Sequence, residues 1–154
     1  MFSHNKLKLG LSTLLALLAT SLTLQAEEPR CLPQSEKVAR ALFTTKVANR
    51  EPTDRVLVLE NNISELFFFS DLRHLQGQTV HHRWEYEGQV VHQKSFVVKG
   101  PRWRVYSKGE LPKDKTGRWT ALVTDNEGCP LKAVVFQYIA TGEVESGAAI
   151  LKLD

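Results

Sequence analysis

The chain has 154 residues, of which 42% are hydrophobic, and a formal net charge of +3 at pH 7. This length predicts a single domain that can bury a core of its own. The first 26 residues hold two lysines and no acidic residue, so the remainder has a net charge of only +1. A charge this small excludes the electrostatic case for nucleic-acid binding.

The first 26 residues have the three-part pattern of a Sec-type signal peptide. Lys6 and Lys8 precede the apolar run Leu9–Leu24, and Ala26 is the small residue that suits signal peptidase. The run is shorter than the ~20 apolar residues of a membrane-spanning helix, and hydroxyl residues and a glycine interrupt it. We therefore expect cleavage near Ala26, rather than a retained membrane anchor, and a periplasmic or secreted protein.

Two cysteines, Cys31 and Cys129, remain after the predicted cleavage. In an oxidising compartment an even number of cysteines favours a disulfide, with two unpaired thiols as the alternative. A bridge would close a loop of about 100 residues, which the chain-entropy model equates with about 4–5 kcal/mol of stability. Residues 27–36 contain two prolines and alternating charges, which predicts a flexible leader.

Residues 37–140 predict an all-β domain, because none of their segments has a sustained apolar period of 3.6 residues. Short alternating runs are instead separated by turn residues at regular spacing. The expected fold is an immunoglobulin-like antiparallel β-sandwich of about seven or eight strands. The predicted strands are Lys37–Val47, Arg55–Glu60, Ile63–Asp71, the two arms of a hairpin around Glu87–Gly88, Arg102–Ser107, Arg118–Thr124 and Cys129–Ala140. Residues 141–154 form either a C-terminal tail or an edge strand.

The strand Ile63–Asp71 is the most apolar stretch after the signal peptide. Alternation places Phe67 and Phe69 on the face opposite Phe68, so that neither face is polar. One interpretation is a strand that is covered on both sides. The other is an exposed aromatic patch at Phe67 and Phe69 that binds a protein partner.

The stretch Gln78–Ser107 concentrates tryptophan, histidine and arginine. A two-residue turn at Glu87–Gly88 would place Arg83 opposite His92 and gather cations on one face of a hairpin. The expected members of this basic face are His81, Arg83, His92 and Lys94, with Arg102 and Arg104 nearby. It is either a solvated surface or a site for an anionic glycan or lipid head group, with stronger binding as the histidines become protonated.

The three tryptophans, Trp84, Trp103 and Trp119, each alternate with charged or polar neighbours along a predicted strand. Neighbouring side chains on a strand point to opposite faces, and burial of unpaired arginines is costly. We therefore expect the tryptophans in the core rather than on a flat surface that stacks against sugars.

The residues that could carry chemistry form no recognisable constellation. His81 and His82 are adjacent, so on a strand they point to opposite faces and cannot ligate one metal ion without distortion. The sequence has no CxxC, HxH or HExxH spacing, and we expect neither a metal nor a cofactor. It has no GxSxG motif. Ser107 or Asp125 could be combined with any histidine, so such a combination is no evidence of a catalytic site. A non-catalytic protein is expected, with an unrecognised hydrolase as the least favoured alternative.

Four stretches of the sequence resemble a bacterial family known as domain of unknown function 2914. They are VARALFTTKVANREPTD, FFFSDLRHLQGQTVHHRWEYEGQVV, GPRWRVYSKGEL and TGRWTALVTDNEG. The resemblance extends over about Lys37–Tyr138, and its most specific parts are the motifs HRW and GPRWR. It implies an exported or membrane-tethered β-rich domain with no assigned activity, so it supplies no catalytic residues. The cysteine pair is not part of the family's pattern.

These observations predict a non-catalytic interaction or structural module of the bacterial envelope. Its leading partner is an envelope protein, bound through the Phe67/Phe69 face or through a free sheet edge, since edge strands accept a further strand. The alternative is an anionic glycan or lipid bound by the basic face. Nucleic acid is not an expected partner, and no transmembrane segment is expected after signal cleavage.

Overall fold

The structure, a computed structural model, describes Cys31, residues 35–143 and the backbone of residues 150–152. The predicted signal peptide and most of the predicted leader lie outside the described residues. After a short 3-10 turn, Ser35–Lys37, the chain forms β1 Val38–Thr44, β2 Val47–Ala48, β3 Glu51–Pro52, β4 Asp54–Val56, β5 Val58–Glu60, β6 Glu65–Arg73, β7 Thr79–Tyr86, β8 Gln89–Val97, β9 Arg102–Glu110, β10 Gly117–Thr124, β11 Pro130–Ile139 and β12 Ile150–Lys152. Within this part of the chain no helix is long and apolar enough to cross a bilayer.

Two five-stranded sheets pack against each other. Sheet I has the order β12-β4-β1-β6-β9 and sheet II has the order β5-β11-β10-β7-β8. Their pairings are antiparallel except for β5, which runs parallel to β11. The orders β1-β6-β9 and β11-β10-β7-β8 correspond to the A-B-E and G-F-C-C′ arrangement of immunoglobulin domains. The predicted all-β, immunoglobulin-like sandwich is therefore confirmed.

The strands are more numerous than the sequence predicted. The single strand expected over Arg55–Glu60 is two strands, because the chain leaves sheet I after β4 and joins sheet II as β5. Leu57 lies at this crossing, and such switches form the corners of a sandwich. The expected turn after β1 contains the small β2–β3 hairpin. Strands of two or three residues are too short to show alternation in a sequence.

The tryptophans face the interior, as their alternation predicted. Trp84 on β7 and Trp119 on β10 have exposed fractions of 0% and 2%. Trp103 on β9 is half-buried and packs against the same core. Trp84 also occupies the position of the buried tryptophan on strand C of immunoglobulin domains.

Phe43 on β1 lies at the centre of the core. Its ring centroid is 5.2 Å from that of Trp84 and 4.6 Å from that of Phe136, and both contacts are edge-on. Such pairs contribute about 0.5–1.5 kcal/mol each beyond the burial of their surface. These contacts join sheet I to sheet II through aromatic rings.

The predicted disulfide is confirmed. Cys31 and Cys129 are bonded, with Cα atoms 5.3 Å apart and a sequence separation of 98. The bond attaches the segment before β1 to the turn between β10 and β11. Beyond β11, the C-terminal strand β12 pairs with β4 and adds an edge strand to sheet I.

The contact between Gly109 and Trp84 yields a stability prediction. A Cβ on Gly109 would lie 2.5 Å from Cζ3 of Trp84, whereas a Cβ on Gly100 would lie 3.7 Å from its nearest neighbour, Cε3 of Trp103. We expect Gly109→Ala to lower the free energy of unfolding by about 2 kcal/mol or more, because the indole cannot move within the packed core. Gly100→Ala is the matched control and should change it by less than about 0.5 kcal/mol. Urea unfolding measures both, and equal effects would contradict the close packing at Gly109.

Candidate functional site

The turn of the β7–β8 hairpin forms where the sequence placed it. Glu87 and Gly88 are its two central residues, with φ angles of 47° and 80°. Two successive positive φ values are characteristic of the type I′ turn, whose twist matches that of the flanking strands. Tyr86 consequently pairs with Gln89, as a two-residue turn requires.

The pairing of the hairpin beyond the turn differs from the prediction. Glu85 pairs with Val90, but Trp84 pairs with His92, so Val91 is an extra residue on β8. This β-bulge shifts the register by one residue, and a one-residue shift moves every later side chain of β8 to the other face. Arg83 therefore lies opposite Gln93 rather than His92.

The predicted basic face does not form, because the bulge separates its members. His81 and Arg83 point to the outer face of sheet II, where His81 contacts Ser95 Oγ at 2.8 Å and Arg83 bonds to Glu85 at 2.9 Å. His92 and Lys94 pair with the inward-facing residues Trp84 and His82 and so lie on the opposite face. The placement of all four cations on one surface was wrong.

Arg102 and Arg104 lie far from this hairpin in the fold, on the outer face of sheet I. Arg102 bonds to the buried carboxylate of Asp71 at 2.8 Å, and Arg104 bonds to Glu51. Arg40 joins the two acids, since it lies 2.5 Å from Glu51 and 3.8 Å from Asp71. Its hydrogen bond is the largest influence that lowers the pKa of Glu51. Both predicted ligand-binding arginines are thus engaged in ion pairs within the fold.

The aromatic residues on the outer face of β6 do not form an exposed patch. Phe69 is fully buried, and the guanidinium of Arg40 lies 5.3 Å from its ring centroid. Phe67 is half-buried against Tyr106, with ring centroids 6.0 Å apart. Strand β6 is therefore covered on both sides, and Phe67 and Phe69 present little exposed surface to a partner.

Among the strands whose side-chain burial is described, β8 is the most exposed. It is the edge of sheet II, and every residue from Gln89 to Val97 except the half-buried Phe96 is exposed. Val90 and Val97 each have an exposed fraction of 56%, and Val91 has 43%. The outer edge of β8 has no strand beside it among the described residues, whereas its inner face borders β9, the last strand of sheet I, across a cleft.

A cleft of about 500 Å³ opens between β8 and β9. Its apolar walls are Trp84, Val91, Pro112 and Trp119, together with the backbone of Gly109. Its charged lining consists of His92, Lys108, Glu110 and Lys115. A cleft of this volume with apolar walls and a few charged groups has the general character of a ligand site.

Two contacts hold Lys115 at this cleft. The indole N–H of Trp119 donates to the backbone carbonyl of Lys115 at 3.0 Å, and the Lys115 ammonium lies 5.5 Å from the ring centroid of Tyr86. Lys108 is paired with Glu65 at 2.6 Å, and this hydrogen bond raises the pKa of its ammonium. Sequence reasoning missed Lys108 and Lys115 as site residues, because only the packing of the two sheets brings β9 beside β8.

The comparison with protein families concerns the same part of the molecule. Residues 77–138 match the model of a family described as Protein of unknown function (DUF2914). Residues 77–138 belong to the DUF2914 family. The resemblance inferred from the sequence is thereby confirmed for this range, which contains β7, β8, β9, β10 and most of β11. For Lys37–Gln76 it stays a prediction, and no curated protein matches the chain.

A buried polar cluster surrounds His82, which lies in the segment that matches the DUF2914 model. The imidazole is completely buried, with Nε2 2.7 Å from Ser70 Oγ and Nδ1 3.0 Å from Ser107 Oγ. Ser107 Oγ accepts a hydrogen bond from the Trp84 indole at 2.9 Å, so its own proton is free for Nδ1. Nε2–H then donates to Ser70. Both nitrogens of a neutral imidazole thus have a hydrogen-bond partner.

The burial of His82 predicts a pH dependence of stability. Burial, with a smaller contribution from Lys94, lowers the pKa of His82 from 6.5 to about 3. The unfolded chain therefore binds a proton that the folded protein does not. This contribution to stability is fully present above pH 6.5 and is lost as the pH falls from 6.5 towards 3. We expect a loss of about 2 kcal/mol between pH 7 and pH 5 from this residue.

Urea unfolding at pH 7, 6 and 5 measures this loss. His82→Gln removes the titrating group and should remove its share of the pH dependence, although the variant is less stable at pH 7. The same substitution at exposed His74 serves as the control for replacing an imidazole. If the stability of His82→Gln depended on pH as the wild-type stability does, His82 would not be the source of this pH dependence.

Proposed function

We propose that this protein is a non-catalytic interaction module of the bacterial envelope that binds an extended segment of another protein along β8. The observation that carries the proposal is the exposure of β8 on both of its faces at the edge of sheet II. Alternate N–H and C=O groups of an edge strand point away from its neighbour and are free to pair with a further strand. Main-chain pairing of this kind supplies affinity in many peptide-binding domains.

The side chains of β8 favour specific binding over indiscriminate aggregation. Val90, Val91 and Val97 offer apolar surface on a strand whose other exposed side chains are polar or cationic. The bulge at Val91 and the charge of Lys94 are features that limit pairing with arbitrary flat strands. A partner must therefore match both the bulge and the pattern of valines.

Location in the periplasm is part of this proposal. It is supported by the signal-peptide pattern of residues 1–26 and by the bond between Cys31 and Cys129, since disulfides persist in oxidising compartments. A catalytic role has little support. His82 contacts two serine hydroxyls, but substrate cannot reach a completely buried imidazole, and no carboxylate among the described residues hydrogen bonds to it.

The alternative of an anionic glycan or lipid head group loses the surface on which it was based. It required His81 and Arg83 to share a face with His92 and Lys94, and the bulge places the two pairs on opposite faces. Among the described residues, the cleft between β8 and β9 still offers lysines to an anion, and Glu110 offsets part of this positive charge.

Site-specific photo-crosslinking in cells tests the proposed function. A photoreactive phenylalanine analogue replaces Val90 or Val97 on β8, or, as the control, Val135, which is 43% exposed on the far strand β11 of the same sheet. We expect one discrete adduct from the β8 positions and none from Val135. Adducts of equal yield at all three positions, or none at Val90 and Val97, would contradict binding along β8.

A further inference from the structure

We infer that the segment bound along β8 is acidic and that one of its carboxylate side chains enters the cleft between β8 and β9. This inference rests on the proposed function, because it names the chemistry of the segment that β8 receives. Three observations support it: the charges on the strand, the charges in the cleft and the apolar walls of the cleft.

The exposed strand itself carries only positive charge. Gln89–Val97 contains His92 and Lys94 and no acidic residue. Among the described residues neither side chain makes an ion pair; the Lys94 ammonium lies over the ring of Phe96, 5.4 Å from its centroid. A strand added beside β8 would place its own side chains next to these two cations. Opposite charges on neighbouring strands are favourable and like charges are unfavourable.

The cleft extends this positive charge toward β9. Lys115 and His92 line it without a carboxylate partner in the described part of the chain. Lys108 also lines it, although Glu65 shares its charge, and Glu110 is the acidic member of the lining. Lys115 is thus the lysine of the lining that has no carboxylate partner among the described residues, and an incoming carboxylate would meet it.

The walls of the cleft strengthen an ionic contact made inside it. Trp84, Trp119 and Pro112 exclude water from one side, and a charge pair interacts more strongly where less water surrounds it. The cleft volume of about 500 Å³ accommodates a long acidic side chain such as glutamate. Because Val91 is the bulged residue and lines the cleft, the bulge sets which position of a bound strand reaches it.

A second copy of this chain fits the site less well than an acidic segment. Pairing of two β8 strands would bring the cations His92 and Lys94 of each copy together with no acid on either strand. An acidic segment instead complements both residues. Charge complementarity therefore selects another protein as the occupant.

Peptide titrations observed by NMR test the inference on the chain without its first 26 residues. The probes are eight-residue peptides in which valine alternates with glutamate, glutamine or lysine. We expect every peptide that binds to shift the NMR signals of the β8 amides. At low salt, the Kd of the glutamate peptide should be about ten-fold below that of the glutamine peptide. This difference should largely disappear at about 0.5 M salt, because screening weakens exposed ionic contacts.

Matched charge variants test whether the preference for the glutamate peptide arises at Lys115. Lys115→Gln should raise the Kd of the glutamate peptide about five-fold and leave that of the glutamine peptide unchanged. Lys132→Gln on β11 makes the same change in net charge away from the cleft and should alter neither Kd by more than about two-fold. Amide spectra of both variants establish that they are folded.

The outcomes separate this inference from the proposed function. Equal perturbation of β8 by all three peptides supports strand addition and overturns the acidic preference. No perturbation of β8 by any peptide contradicts the proposed function itself. Salt-sensitive binding to anionic vesicles or an acidic polysaccharide with unaffected β8 amides overturns the inference in favour of an anionic polymer. Shifts of β8 amides with protein concentration alone would identify a second copy as the occupant.

Discussion

The packing of Trp84 beneath β9 determines how the two sheets are placed. Its indole N–H donates to Ser107 Oγ at 2.9 Å, and its ring lies directly against the backbone of Gly109. Because only glycine leaves room for the ring, β9 can lie over β7 at this close distance. β9 and β8 are the last strands of sheets I and II at this end of the sandwich, and a cleft opens between them. The contact of Trp84 with Gly109 thus places β9 next to the proposed binding edge.

The polar cluster at His82 joins the same two sheets beside that contact. Ser70 and Ser107 belong to sheet I and His82 belongs to sheet II, so the imidazole bridges the layers through both of its nitrogens. The imidazole is completely buried, so these contacts form an internal connection between the two layers. Its burial keeps it neutral and makes it a determinant of how stability depends on pH.

The sequence predicted the features that depend on local alternation of apolar and polar residues. It did not predict the features that depend on how distant strands pair. The inward faces of Trp84 and Trp119 followed from their polar neighbours, and the turn at Glu87–Gly88 followed from its glycine. The bulge at Val91 could not be predicted, because no glycine or other turn residue marks it, and it reversed the face assigned to His92. The ion pairs of Arg102 depend on the pairing of β6 with β9, about which the spacing of residues says nothing.

Amide hydrogen exchange along Gln89–Val97 tests the central claim, that β8 is a free edge in the isolated protein. We expect protection to alternate along the strand. Amides directed at β7 should be protected, and amides directed outward should exchange almost as fast as in an unfolded chain. This alternation should change phase at Val91, where the bulge adds a residue. Uniform protection of the whole strand would contradict the account, because it would show that the outer edge of β8 is already covered.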